Sequence, residues 1–134
     1  MSDFNVEFVP VAKFQPKHPG TRLPMERNGQ PTFLLLYGKD SPAFRKVVRA
    51  QRKRHVEELS KNRDYIPTDE QAEADALEVL VACTAGWENA AYKGVEEFSP
   101  ELVKTMYAEQ SWLREDVDRY IGDRANFLAP SKAS

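Results

Sequence analysis

Prolines and helix starts divide this chain near residue 40. Five of its nine prolines, Pro10, Pro16, Pro19, Pro24 and Pro31, precede Thr32. Proline lacks a backbone N–H and its ring clashes with the preceding turn, so helix is disfavoured there. Behind residue 40 the pattern reverses. Ser41-Pro42 and Ser99-Pro100 each place a side-chain oxygen beside free backbone N–H groups and a proline at the first helical position. Thr68-Asp69-Glu70-Gln71 is a capping box, with Gln71 placed to reach back to the cap N–H. Ser111 reads as a fourth cap. These signals predict helices near 42–61, 68–86, 100–109 and 112–125, with Gly86 stopping the second.

The expected fold is therefore mainly α with a small N-terminal antiparallel β hairpin or sheet, an α+β domain of about four helices. The whole chain, 1–134, reads as a single domain. Residues 1–40 form its β-hairpin or extended part, 41–128 its helical part and 129–134 a flexible tail. Asn28-Gly29 is the strongest hairpin signal, because both residues tolerate the positive φ of a type I′ turn. It leads into Thr32-Phe33-Leu34-Leu35-Leu36-Tyr37, an apolar run of strand length. Arg22 to Arg27 is the expected partner, with Pro24 confining it to an edge. Asn5 to Val11 is a further short strand, and residues 88–98 a loop around Lys93-Gly94.

Apolar residues recur at helical spacing. Phe44, Val47, Val48, Val56 and Leu59 form the stripe of the first helix, interrupted by Gln51, Arg52 and His55. Ala72, Ala76, Val79, Leu80, Cys83 and Trp87 form that of the second. Leu113, Val117, Tyr120, Ile121 and Leu128 line the last. Leu80 and Ile121 are expected to be buried.

The net charge of −2 conceals an asymmetry. Residues 1–63 hold 13 Lys/Arg against 6 Asp/Glu, and residues 64–134 hold 6 against 15. Either the halves pack on one another, or the basic face of one protomer meets the acidic face of the next. Arg45, Arg49 and Lys53 share one helix face at four-residue spacing, with Lys46, Arg52 and Arg54 beside them. Such a stripe serves as a solvated face, a protein-binding face or a nucleic-acid contact. No aromatic residue interleaves it to stack bases, which disfavours nucleic acid.

Chemistry finds little support. Cys83 lies on an apolar face between small neighbours, with no base or cation beside it to make a thiolate. It is the single cysteine, so no intrachain disulfide forms. His18 and His55, the two histidines, do not make a metal-ligand set with it. Asp69, Glu70 and Glu73 occupy a helix start, where the macrodipole favours negative charge. Phosphate-loop, dinucleotide and nucleophile-elbow patterns are absent. The expectation is a protein that is not an enzyme, with no cofactor, no bound metal and no membrane span. The first residues show neither a basic start nor an apolar stretch, so no signal peptide is expected. Trp87 and Trp112 stand at helix ends, either as core residues or as interface anchors.

Several stretches occur in a telling order: Tyr37-Gly38-Lys39-Asp40-Ser41-Pro42-Ala43-Phe44-Arg45, then Ala82-Cys83-Thr84-Ala85-Gly86-Trp87-Glu88. Phe98-Ser99-Pro100-Glu101 follows, then Ser111-Trp112-Leu113-Arg114-Glu115-Asp116-Val117-Asp118, and last Asp123-Arg124-Ala125-Asn126-Phe127-Leu128. In order and spacing the chain resembles the tail assembly chaperones of long-tailed, siphovirus-type bacteriophages. The resemblance spans about residues 30–128; the proline-rich start matches only loosely. It implies a non-catalytic morphogenesis factor made in the host cytoplasm. Such proteins bind the tape measure protein, keep it soluble and help tail tube protein polymerise around it. They are absent from the mature virion. In the family a programmed frameshift gives a minority of copies a second domain that recruits tube protein. A chain stopping at Ser134 fits the shorter product. The expected partners are thus the tape measure protein, the frameshifted longer form, tube protein through that form, and weakly a second copy. The family has no catalytic residues to carry over. Arg45, Arg49, Lys53, Trp87 and Trp112 are the candidate partner-binding residues.

Overall fold

The computed structural model describes residues 3–129. Strands β1 (Ala12–Phe14), β2 (Glu26–Arg27), β3 (Gln30–Pro31) and β4 (Phe33–Leu36) precede helices α1 (Pro42–Lys61) and α2 (Asp69–Ala82). Strand β5 (Thr84–Glu88), helices α3 (Pro100–Glu109) and α4 (Ser111–Gly122) and a 3₁₀ turn (Arg124–Phe127) complete it. Four helices with small antiparallel sheets give the expected α+β class. The tail expected over 129–134 lies, beyond Ala129, outside the described residues.

The helix starts work as the sequence chemistry requires. Ser41 accepts from the Phe44 N–H at 3.2 Å, and Ser99 from Leu102 at 3.1 Å. The Thr68/Gln71 box closes in both directions, at 2.8 and 3.1 Å. Ser111 does not cap α4. It is the first helical residue, and Gln110 holds the cap position without a side-chain bond to the helix. The Gln110 amide is engaged elsewhere, donating to Tyr92 Oη and accepting from the Trp112 indole. Helix α4 stops at Gly122 rather than 125, because Asp123 accepts from Ala125 N at 3.0 Å and opens the 3₁₀ turn.

The sheet departs further from expectation. Asn28 and Gly29 do take φ of 55° and 77°, but their hairpin joins only β2 to β3, Arg27 opposite Gln30. The apolar strand β4 pairs instead with β1 and β5, in the order β1-β4-β5. Arg22–Arg27 is not its neighbour. The N-terminal strand is Ala12–Phe14 rather than Asn5–Val11, within which Phe8 makes one bridge, to Leu128. Asn89, at φ 51°, joins the hairpin to the sheet. Its amide donates to the carbonyls of Arg27, Gln30 and Pro31.

The largest correction concerns the second helix. It ends at Ala82, and residues 84–88 form a strand rather than a last turn. Thr84 explains the switch. Its buried hydroxyl donates to Leu80 O at 2.8 Å and meets Tyr107 Oη at 2.8 Å, while the following backbone pairs with β4. A β-branched residue stiff at χ1 favours that extended path. Gly86 is therefore a strand residue opposite Leu35, not a helix stop, and Trp87 lies on a strand.

The core gathers Leu34 and Leu36 of β4, Leu80, Cys83, Val103, Met106, Tyr107, Leu113, Val117, Ile121 and Phe127. Leu80 and Ile121 are 3% and 2% exposed, as expected. Gly38 lies against the buried Phe127 ring. A Cβ there would stand 2.9–3.2 Å from ring carbons.

Candidate interaction surface

Helix α1 positions the basic stripe, and its geometry decides what accompanies it. A residue advances about 100° around a helix, so positions 45, 49, 52, 56 and 59 fall on one side. Arg45, Arg49, Arg52, Val56 and Leu59 are all exposed. Lys53 sits at the edge of that face, also exposed. None of these four cations forms an ion pair among the described residues. The expected apolar stripe is thus split. Phe44, Val47 and Val48 are half-buried, whereas Val56 and Leu59 are 57% and 46% exposed. No residue of α1 is fully buried.

The split follows from what fills the inner face. Gln51 donates to Asp75 O and to Glu78 Oε1, both at 2.8 Å. Arg54 donates to Glu78 at 2.9 Å and to Asp75 at 3.3 Å. His55 Nε2 donates to Asp75 Oδ2 at 2.8 Å. In the neutral ring Nδ1 then accepts from Tyr65 Oη, also 2.8 Å away. The Tyr65 ring stacks on the imidazole. These polar residues turn Val56 and Leu59 outward. The hydrogen bond from Arg54, then that from Gln51, holds the Glu78 carboxyl below its ordinary range. The Glu78 hydrogen bond holds the Arg54 guanidinium above its own.

The two tryptophans, far apart in sequence, line one apolar groove of about 200 Å³ with Met25, Tyr92, Met106 and Leu113. Each indole N–H is already used, Trp87 donating to Glu96 O and Trp112 to Gln110 Oε1, both at 2.9 Å. Ring faces and edges are what the groove offers. Phe98 packs edge-on to Trp87 at 5.7 Å. Both tryptophans are half-buried, so each contributes to the core margin and to the surface.

Cys83 is fully buried, and burial pushes its thiol up to about 11, so it stays protonated at neutral pH. His18 Nδ1 accepts from Gly20 N and Thr21 N in an exposed turn. Among the described residues no three His, Cys, Asp or Glu side chains converge as metal ligands. No described helix is long and apolar enough to cross a membrane.

The features placed together are therefore Arg45, Arg49 and Lys53 on one helix and Trp87 with Trp112 in one groove. Val56 and Leu59 join the first only when position is followed around the helix from Arg52. Met25 joins the second with no local signal. Fold and surfaces define a small α+β domain that presents a basic-apolar helix face and an apolar groove. The chain matches no protein-family model, and neither a curated protein nor a solved structure matches it.

Proposed function

We propose that this chain is a tail assembly chaperone of long-tailed bacteriophages. It binds and solubilises the tape measure protein and promotes tail tube assembly around it, without catalysis. The reading rests on the sequence resemblance, and one structural observation supports it. The outer face of α1 carries Arg45, Arg49, Arg52 and Lys53, unpaired among the described residues and continuous with exposed Val56 and Leu59. A tape measure helix exposes apolar stripes until the tube covers it, and such stripes aggregate. A helix face with two apolar anchors and flanking cations shields short stretches of such a partner and steers its carboxylates. Many weak contacts along a long rod then add up. In this reading a frameshifted longer form brings tube protein, and the chaperone works in the host cytoplasm and stays out of the mature virion. Copies associate weakly with one another.

Co-expression with a tape measure fragment tests it. The wild type keeps the fragment in the supernatant. Arg45→Glu, Arg49→Glu and Lys53→Glu together lose it to the pellet while the helical circular dichroism is unchanged. A fragment that stays insoluble with the wild type rejects the chaperone reading. A wild type that shifts duplex DNA at physiological salt, with a triple variant that does not, supports a nucleic-acid binding module instead.

A further inference from the structure

One cleft of this molecule lies apart from both the α1 face and the tryptophan groove. At about 390 Å³ it falls within the range of about 300–1,000 Å³ that holds small molecules. One side of it is the chain from Phe14 to Arg22. The other is α4 and the turn after it, from Asp116 to Asn126. Phe14 and Tyr120, packed at 4.6 Å, give it an apolar wall.

The two sides differ in chemistry. On the α4 side Arg119 pairs with Asp116 at 3.1 Å, and Asp123 accepts from Ala125 N. On the other side Lys17 and Arg22 form no ion pair among the described residues. The turn between them is closed by His18 N–H to Leu23 O and Arg22 N–H to His18 O, both at 2.9 Å. His18 Nδ1 accepts from Gly20 N and Thr21 N, so the neutral ring carries its proton on Nε2. This side therefore offers three donors, two of them cationic. Acceptors come from the amides. Gln15 donates its N–H to Met25 O and Asn126 to Tyr120 O, which leaves both amide oxygens to accept.

Arg22 is the residue the backbone itself does not favour. Its φ of 65° lies in the left-handed region, which glycine enters freely and a side chain does not. A turn built for stability alone would take glycine here; this one places a guanidinium at the cleft. Three donors on one turn match the three oxygens of a phosphate better than the two of a carboxylate.

We propose that this cleft binds a small phosphate monoester with a hydroxyl-bearing ring, the chemistry shared by nucleotides and sugar phosphates. Lys17, Arg22 and the His18 Nε2–H hold the phosphate. The ring lies on Phe14 and Tyr120, with its hydroxyls toward the oxygens of Gln15 and Asn126. The site does not depend on the chaperone reading.

Calorimetric titration of the full chain with uridine 5′-monophosphate and with glucose 6-phosphate tests it. At least one is expected to bind at millimolar concentration or below, and the tighter one names the source. Amide shifts in an NMR titration are expected at His18, Arg22 and Asn126. Arg22→Gly removes the guanidinium and relieves the backbone, so it should weaken binding about tenfold or more while stability is kept or raised. Lys17→Gln alters an exposed side chain and is expected to weaken binding in the same direction. No binding of either monoester overturns the proposal, as does full affinity in Arg22→Gly. Shifts confined to α1 would mark its basic face as the anion site instead and also overturn it. Inorganic phosphate, or uridine without phosphate, bound as tightly as the monoesters overturns the ligand class.

Discussion

Helix α1 has 20 residues and buries none; α3 has 10 and buries Val103, Met106 and Tyr107. The difference lies in what each inner face touches. Helix α3, with α4, packs apolar side chains onto β4 and the end of α2, where water is excluded. Helix α1 meets α2 through a polar network of Gln51, Arg54 and His55 with Asp75, Glu78 and Tyr65. Burial of a large aliphatic side chain contributes about 1.5–3 kcal/mol, whereas an exposed ion pair contributes about 0–1. The body is thus held by its core. Helix α1 is held near its start by half-buried Phe44, Val47 and Val48 and further along by hydrogen bonds, which leave its long outer face exposed.

The largest effect is expected in the body. Leu80→Ala removes a 3%-exposed side chain at the meeting of α2 and the sheet and is expected to cost about 2–5 kcal/mol in urea unfolding. A loss under about 1 kcal/mol would place this end of α2 outside the core. Gly38→Ala comes next. Its methyl group presses on the buried Phe127 ring, and overpacking of this kind costs about 1–3 kcal/mol. An unchanged midpoint would show that the ring moves aside freely. Tyr107→Phe breaks the bond to Thr84, which keeps its own bond to Leu80 O, so the expected cost is about 1 kcal/mol.

On α1 the same kind of truncation is expected to do far less. Val56→Ala and Leu59→Ala each shift stability by about 0.5 kcal/mol or less, because neither side chain is buried. A loss of 2 kcal/mol from either, by the same urea assay, would remove the contrast between the two regions. The smallest effect is electrostatic. The Glu78 carboxyl is held low in the folded state by Arg54 and Gln51, so it binds its proton more readily when unfolded. Its contribution is present above the ordinary carboxylate range and lost as pH falls through its folded value. The stability gap between wild type and Glu78→Gln should therefore close as pH drops below about 4. A gap that widens on acidification contradicts the network.

Local chemistry was legible in the sequence wherever one residue dictates its own backbone. Ser41, Ser99 and the Thr68/Gln71 box start helices because their side chains bond N–H groups three residues on. Asn28-Gly29 turns because both accept positive φ. Decisions made by distant partners were not legible. Residues 84–88 continue a helical spacing in Cys83 and Trp87, yet β4 and Tyr107 draw them into a strand. The pairing of β4 with β1 rather than the hairpin depends on segments far along the chain. On α1, Val56 and Leu59 matched an apolar stripe, but Asp75 and Glu78 of α2 select the polar face instead. For the candidate interaction surface, the basic stripe was visible from its spacing. The joining of Trp87 to Trp112 required the fold.

Amide hydrogen exchange of the wild-type protein, free and with a tape measure fragment, tests the central contrast most directly. In the free protein the amides of α1 are expected to exchange through openings of lower free energy than those of α3 and α4. With the fragment, protection should rise across residues 42–61 and stay unchanged in α3 and α4. Free α1 amides as protected as those of α4, or no gain in α1 when the fragment is held, would contradict both the division of the molecule and the role given to its outer helix face.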